Sequence, residues 1–363
     1  MAEIAFYAPM KPPDDPVPSG DRTMARALIA ALASSGLGEV ALASRLRSRD
    51  PKGDASVQGE LLLAAQAEIE RLSAGPRPAL WLTYHSYYKT PDLLGPALSR
   101  HWNIPYVLIE ATRASSRLSG PYARFAKAAE EACDAADLIF YLTEHDREAL
   151  ERDRTPGQRL VRLLPFLQRE SLAAPPERAA HDTTRLLACA MFRSGDKQAS
   201  YATLAAALGR TTSQAWNLTV VGDGPMREEI EALYSQFGDR VTFRGALDQD
   251  GMREAFRSAD AFVWPGVGEA FGMVYLEAQA EACPALAEDR PGVRDVVGNA
   301  GWLTPAGDVA AFARAIDAIV SDPQARLAAG SKAREWIAAH HLLGSARATL
   351  TAALRPLLQD RPS

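Results

Sequence analysis

Two patterns of apolar and polar positions alternate along the chain. Short unbroken apolar runs at residues 4–8, 40–43, 79–83, 106–109 and 138–141 predict buried strands, and residues 160–164 close this first series. Between them, residues 22–34, 61–72 and 125–136 place apolar side chains at helical spacing. A second series repeats the alternation. It predicts strands at 186–191, 218–221, 241–243, 261–264 and 285–287, and helices at 201–208, 226–236, 251–257, 274–281, 309–320 and 324–339. The strands lack strict period-two alternation, which suits parallel sheets covered on both faces. The expected fold class is therefore α/β, with two doubly wound, Rossmann-like domains facing a central cleft. The first spans residues 1–168. A polar stretch at 169–184, carrying Pro175-Pro176, reads as the linker, and the second domain spans 185–344. A last helix, predicted at 345–358 within the terminal segment 345–363, follows Leu343-Gly344 and is expected to pack back on the first domain.

Composition narrows the class without changing this outline. The 363 residues are 47% apolar and 23% charged, ordinary globular values that exclude a disordered or fibrous chain. A net charge of −5 argues against a nucleic-acid-coating protein, and no nucleic-acid partner is expected. The three cysteines, Cys133, Cys189 and Cys283, form no C-x-x-C pair, and the six histidines show no H-x-x-x-H spacing. No metal site and no disulfide framework is expected, and a reduced, cytoplasmic compartment is. Residues 1–12 are too short and carry Glu3 where a signal peptide needs basic residues. No apolar run reaches the ~20 residues that span a bilayer, so any membrane contact is expected to be peripheral, at the inner face.

Open α/β sheets bind ligands beyond the carboxyl ends of their strands, so the loops that follow strands carry the candidate chemistry. Gly222-Asp-Gly-Pro225 combines two glycines with a proline suited to the first helical position, which fits anion binding. A tight βα turn without a ligand uses the same residues. The loop Arg193-Ser-Gly-Asp-Lys197 offers two cations that fit a diphosphate, or a solvated loop with an internal ion pair. The most specific stretch is Trp264-Pro-Gly-Val-Gly-Glu269-Ala-Phe-Gly272-Met-Val-Tyr-Leu-Glu277. If a helix starts at Met273, Glu277 lies one turn in and faces the same cleft as Glu269, and the amides of Gly272, Met273 and Val274 face it too. Carboxylates beside an anion site suit hydroxyl-rich ligands such as ribose and hexose.

Residues 186–340 resemble the family 4 glycosyltransferases, retaining enzymes of GT-B fold that use nucleotide sugars. The resemblance rests on Arg193 and Lys197, Val221-Gly-Asp-Gly-Pro225, Phe243-Arg-Gly245 and Ala259-Asp-Ala-Phe-Val-Trp-Pro265. It continues through the E-x7-E stretch from Glu269 to Glu277, Pro291-Gly-Val-Arg-Asp-Val-Val297 and Gly301-Trp-Leu-Thr-Pro305. The resemblance implies that Arg193 and Lys197 hold the donor diphosphate, Glu269 the sugar hydroxyls and Glu277 the ribose. It further implies that Gly222 and Gly224 admit the nucleotide, that the segment from Gly245 to Leu247 meets the base, and that Gly20 lies beneath the donor. Many members place a histidine after an N-terminal strand; the matching region here reads Leu108-Ile-Glu110-Ala-Thr-Arg113. His85, after the preceding strand, is the alternative catalytic candidate, or a loop histidine bonded in place. Glu110, Arg113 and Arg117 are acceptor-side candidates.

The implied activity is transfer of a hexose from a UDP- or GDP-linked sugar to an acceptor hydroxyl, retaining, by a front-face path. No metal or cofactor is expected, the nucleotide sugar being a co-substrate. The acceptor class stays open among lipid-linked, polysaccharide and small-molecule hydroxyls, with a basic rim on the first domain (Arg45, Arg47, Arg49, Lys52, Arg124, Lys127) suiting anionic headgroups or simply solvent. The competing readings are a sugar-nucleotide epimerase of the same architecture and a non-catalytic nucleotide-sugar-binding protein.

Overall fold

The computed structural model describes residues 3–17, 19–177, 182–298 and 300–359, so residues 178–181 of the expected linker lie outside the described residues. The chain divides into two compact units: residues 1–168 with 343–363, and residues 169–342.

Unit 1 is a six-stranded parallel sheet. Its strands are β1 (Glu3–Tyr7), β2 (Glu39–Ser44), β3 (Leu80–Ser86), β4 (Tyr106–Ala111), β5 (Leu138–Tyr141) and β6 (Arg159–Arg162), in spatial order β2-β1-β3-β4-β5-β6. Helices α1 (Gly20–Ala33), α2 (Ala55–Ser73), α3 (Gly95–Trp102), α4 (Ala123–Ala135) and α5 (Glu144–Arg152) connect them. Every residue of β4 and β5 is buried, as expected of a sheet covered on both faces. Tyr7, Trp81 and Tyr106 fill the core beside Leu98, Leu108 and Ile139. α13 (Leu343–Gln359) belongs to this unit: it packs on α1, and Ala353 O accepts from Arg159 Nη1 at 3.2 Å.

Unit 2 repeats the architecture. Its strands are β7 (Thr184–Cys189), β8 (Trp216–Val221), β9 (Val241–Phe243), β10 (Ala261–Val263), β11 (Ala285–Asp289) and β12 (Trp302–Pro305), in order β12-β11-β10-β7-β8-β9. Its helices are α6 (Asp196–Leu208), α7 (Arg227–Tyr234), α8 (Gln249–Ser258), α9 (Met273–Ala280), α10 (Pro291–Val297), α11 (Val309–Ser321) and α12 (Pro323–His340). Buried aromatic rings meet edge to face through its core, Tyr201 against Trp264 at 4.7 Å and Phe262 against Tyr275 at 5.6 Å.

The strand order reverses once in each sheet, between β1 and β3 in unit 1 and between β7 and β10 in unit 2. At such a point the connections leave in opposite directions and open a crevice beyond the carboxyl ends of the two strands. Among the described residues no helix is long and apolar enough to cross a membrane.

Candidate active site

In unit 2 the loops after β7 and β10 flank the reversal point. Each leads into a helix whose cap is a left-handed glycine, Gly195 (φ 80°) before α6 and Gly272 (φ 75°) before α9. Neither helix has a side-chain cap, so no side chain occupies its first-turn amides, which carry the positive end of the helix dipole. Lys197, in the first turn of α6, forms an ion pair with Glu269 on the β10 loop. Its ammonium lies 6.0 Å from the Trp264 ring, and Trp264 Nε1 is 3.4 Å from Glu269 Oε1. The loop is pinned from below: Tyr275 donates to Trp264 O at 2.9 Å, and Ser200 Oγ accepts from Val267 N at 2.9 Å.

Glu277 lies one turn into α9, half-buried, with no ion pair among the described residues. Burial pushes its pKa up to about 7, partly opposed by the Arg169 guanidinium. Its charge also acts on the Cys189 thiol at the end of β7, which burial already raises and which Lys197 opposes. Lys197 and Glu269 meet beside the ends of β7 and β10, and Glu277 lies one turn into the helix that follows the β10 loop. Met273 is buried and Val274 half-buried at the start of the same helix.

Arg193 stands apart from this group. It is exposed, in the loop between β7 and α6, and makes no ion pair among the described residues. The glycines of the β8 loop have a structural duty. A side chain on Gly222 would come within 2.1 Å of Ala190 O, and one on Gly224 within 2.4 Å of Phe192 O. Their smallness lets the β8 loop lie against the β7 loop, where Phe192 N donates to Asp223 O at 2.9 Å and Met226 N to Phe192 O at 3.1 Å. Gly245 O accepts from Gly222 N at 2.8 Å, and Leu247 is half-buried just before the cap of α8. The metal-free expectation rests on the reading that no Asp-x-Asp motif is present, and Asp248-Gln-Asp250 corrects that reading. Asp248 is the cap of α8, and its carboxylate accepts from Gly251 N at 2.8 Å. Among the described residues no group of three or more His, Cys, Asp or Glu side chains is arranged to hold a metal ion.

The unit 1 reversal point carries a different set. His85 is not a loop residue, as the sequence suggested, but lies inside β3, which runs to Ser86. The register pairs Tyr84 with Ile109 and Ser86 with Ala111, so His85 and Glu110 occupy matching levels of adjacent strands. Both are left-handed, at φ 64° and 60°, a conformation costly for residues with a Cβ. The distortion brings the side chains together: His85 Nδ1 lies 3.9 Å from Glu110 Oε2 and 3.0 Å from Asp21 Oδ1, in the first turn of α1. Burial alone would lower the pKa of His85; the carboxylates of Glu110 and Asp21 outweigh it and raise it to about 9, so the ring is cationic at neutral pH. Burial lifts Glu110 to about 7, against the pull of the imidazolium and a Tyr84 hydrogen bond. Glu110 is buried, and its Oε2 has no hydrogen-bond partner. Asp146, the remaining nearby carboxylate, accepts from Thr112 (3.0 Å) and Thr143 (2.6 Å).

Gly20 is the first residue of α1, and a side chain there would meet nothing within 4 Å. Arg113, expected on the acceptor side, is turned inward. Its guanidinium donates to Glu130 at 2.6 Å and Asp134 at 2.7 Å, tying β4 to α4 with a side chain 3% exposed. Arg117 is exposed and stacks on Tyr88 at 5.1 Å. Sequence reasoning missed Asp21, Asp146 and the tyrosines beyond β3. The signals were present: an acid directly after Gly20, and the run Tyr87-Tyr88-Lys89 after a strand.

Residues 183–322, within unit 2, match the family described as glycosyl transferases group 1. The sulfoquinovosyl transferase of Arabidopsis thaliana is 32% identical over 123 residues, 32% of this chain and 24% of that protein. The 2-deoxystreptamine glucosyltransferase of Streptomyces kanamyceticus is 35% identical over 137 residues, 36% of this chain and 35% of that protein. These matches span about a quarter to a third of those relatives' length. The D-inositol 3-phosphate glycosyltransferase of Frankia alni is 28% identical over 307 residues, 75% of this chain and 74% of that protein. Among solved structures, the sucrose-phosphate synthase from Thermosynechococcus elongatus matches with TM-score 0.77 at 20% identity, covering 99% of this chain and 100% of that one. Anabaena HepE in complex with UDP and glucose matches with TM-score 0.68 at 14% identity, covering 98% and 100%. The fold is thus two Rossmann-like domains of the GT-B type, and unit 2 carries a glycosyltransferase domain.

Proposed function

We propose that the protein is a retaining glycosyltransferase of family 4 that moves a hexose from a UDP- or GDP-linked sugar to an acceptor hydroxyl. The observation that carries this is the Lys197–Glu269 ion pair at the β7/β10 reversal point, beside an α9 N-terminus that no side chain caps and one turn before Glu277. A cation and helix amides suit a diphosphate, and two carboxylates suit hydroxyl-rich sugar rings. In this reading Glu277 accepts hydrogen bonds from the ribose and Glu269 from the hexose. Lys197, the amides of Met273 and Val274, and Arg193 from its exposed loop stabilise charge on the departing diphosphate. The leaving group then needs no metal. The acceptor hydroxyl attacks from the face the diphosphate leaves, with unit 1 holding the acceptor at its own reversal point. The protein works in the cytoplasm, with peripheral contact at the inner membrane face for a lipid-linked acceptor.

The titratable group at His85 and Glu110 favours one further reading, a sugar-nucleotide epimerase, because acid and base with raised pKa values stand side by side there. Product analysis separates the two. The enzyme is incubated with UDP-glucose and GDP-mannose, with and without a panel of hydroxyl acceptors, in EDTA. Transfer gives free nucleoside diphosphate and an α-linked product only when the acceptor is present. An epimerised sugar formed without acceptor supports the second reading. Binding without turnover on any acceptor supports a non-catalytic protein.

A further inference from the structure

Four guanidiniums gather around one carboxylate in unit 2. Glu281 closes α9, and its side chain is only 2% exposed. Arg169 Nη1 lies 2.7 Å from its Oε1, Arg253 Nε lies 3.2 Å from the same oxygen, and Arg257 Nη1 lies 3.2 Å from Oε2. Arg253 and Arg257 stand one turn apart on α8, on the same side of that helix. Arg334, on α12, donates to Ala280 O at 2.6 Å and to Ala173 O, and Arg257 Nη1 donates to Ala174 O at 3.1 Å. The segment 169–174, which opens unit 2, is thus held by the same arginines that face Glu281.

The charges in this group do not balance. Among the described residues Glu281 is the only carboxylate within ion-pair distance of any of the four arginines. Burial lowers the pKa of Arg334, and though Glu281 opposes this, Arg257, Arg169 and Arg253 add to it. Each of the three arginines on Glu281 meets it through one nitrogen and keeps 23–38% of its side chain exposed, so further N–H groups reach solvent. Both oxygens of Glu281 are already taken. A tetrahedral oxyanion brings three or four more, carries up to two charges, and fits the arginine fork in bidentate fashion. A cavity of about 490 Å³ opens beside Arg334. Ser171 and Ser331 line it and can donate to such an anion, while Glu170 and Glu335 on the same wall repel an extended polyanion. The room is therefore suited to a compact anion and not to a nucleic acid or an acidic peptide.

We propose that Arg169, Arg253, Arg257 and Arg334 form a second anion site, other than the Lys197–Glu269 site, which takes a compact oxyanion of the phosphate class, free or as a small phosphate monoester. The bound anion shares the excess positive charge with Glu281 and braces the segment 169–174 against α8 and α12. The site stands independently of the donor-site reading, since it uses none of the same residues.

Binding and melting of the full chain test this without turnover. Inorganic phosphate and glycerol 3-phosphate are titrated calorimetrically, and melts are recorded in phosphate and in chloride at equal ionic strength. Phosphate should bind and raise the melting temperature in a saturable way. Arg253→Gln and Arg257→Gln should each weaken it by about tenfold, the scale of a lost charged hydrogen bond, and Arg253→Lys should keep part of the affinity. Lys197→Ala should still bind phosphate at the cluster. Glu281→Gln should melt lower than the native chain in chloride and recover more than the native chain does in phosphate, because the ion replaces the missing carboxylate. If that variant does not fold, the two α8 variants carry the test. Binding of both compounds identifies a site open to monoesters, and binding of inorganic phosphate alone identifies one for the free ion. Equal melting in phosphate and chloride with no heat of binding, indifference to Arg253 and Arg257, or loss of phosphate binding in Lys197→Ala overturns the proposal.

Discussion

The two units reverse their strand order in the same way, yet they furnish the crevice from different sources. In unit 2 the functional groups sit on loops and helix starts: Lys197 follows Gly195, and Glu269 and Glu277 flank Gly272. In unit 1 they sit on the strands themselves. His85 and Glu110 are strand residues, and they reach one another only because both adopt left-handed backbone at matching register. The first arrangement leaves helix amides open toward an anion. The second sets Asp21 and Glu110 against one histidine, whose charge Asp146 also favours. The same topology thus presents a cation and uncapped helix amides in unit 2 and a carboxylate-rich histidine cluster in unit 1.

The largest expected effect breaks the unit 2 site at its cation. Lys197→Ala should lower turnover at saturating donor by ~10²–10³-fold, comparable to losing one preorganised donor to a developing anion. The charge grows on the diphosphate as the glycosidic bond breaks, so KM should change far less. Because Lys197 also pairs with Glu269, the double variant with Glu269→Gln should lose less than the sum of the two single changes. Steady-state kinetics of the three variants read this, and full additivity would separate the two residues.

Next in size is the division of labour between carboxylates. Glu277→Gln should weaken the bare nucleoside diphosphate by about tenfold, the scale of a lost charged hydrogen bond, while Glu269→Gln should chiefly weaken the nucleotide sugar. Equal losses for the bare nucleotide in both variants would dissolve the ribose and hexose assignments.

Smaller effects concern pH. Glu277 titrates at about 7 in the folded chain against 4.5 ordinarily, so the folded state binds the extra proton between those values and stability falls as pH rises through that window. Glu277→Gln should therefore leave stability nearly unchanged at pH 4 and raise it at pH 8, by at most ~3 kcal/mol. His85 gives a slope of the same sign at higher pH, but there it is the charged form that the folded state stabilises. Its pKa is raised from 6.5 to about 9, so its stabilisation is complete below 6.5 and is lost as pH rises through 9. His85→Gln should cost on the order of 1–3 kcal/mol at pH 6, with the gap to the native chain closing above pH 9. Thermal melts of both variants across pH 4 to 10 check the two slopes; parallel curves for native chain and variant would show that the site's charges are not coupled to folding.

The candidate residues at the unit 2 reversal point were legible in the sequence because they lie close together along it. Glu269, Gly272 and Glu277 fall within nine residues, and α9 runs Met273–Ala280, one residue earlier at each end than the predicted 274–281. Most of the strand pattern was legible for a similar reason, since most strands are contiguous apolar runs; β12, the short Trp-Leu-Thr-Pro segment at 302–305, is the strand it missed. Other elements gave no such signal. α5 is almost entirely polar and buries only Leu150, so no apolar stripe marks it. α3 opens on Gly95-Pro96, which reads as a turn; its start is set by Asp92, whose buried carboxylate accepts from Leu94 N and Gly95 N. α10 likewise opens on Pro291-Gly292. α2 begins at Ala55, six residues before its apolar stripe, because Asp54 caps it by accepting from Ser56 N and Val57 N. The His85 cluster draws on α1, β3, β4 and α5, more than a hundred residues of chain, and the left-handed bend that closes it has no sequence signature in residues other than glycine.

The central claim is that the β7/β10 reversal point holds a nucleoside diphosphate by Lys197, Glu277 and the start of α9. Titration calorimetry of UDP, GDP and ADP into the native chain and into Glu277→Gln and Lys197→Ala, all in EDTA, tests it most directly. At least one nucleotide should bind the native chain one to one without a divalent ion, and each variant should weaken that same nucleotide, Glu277→Gln by about tenfold. Binding that requires magnesium or manganese, or that is the same in all three proteins, would contradict it.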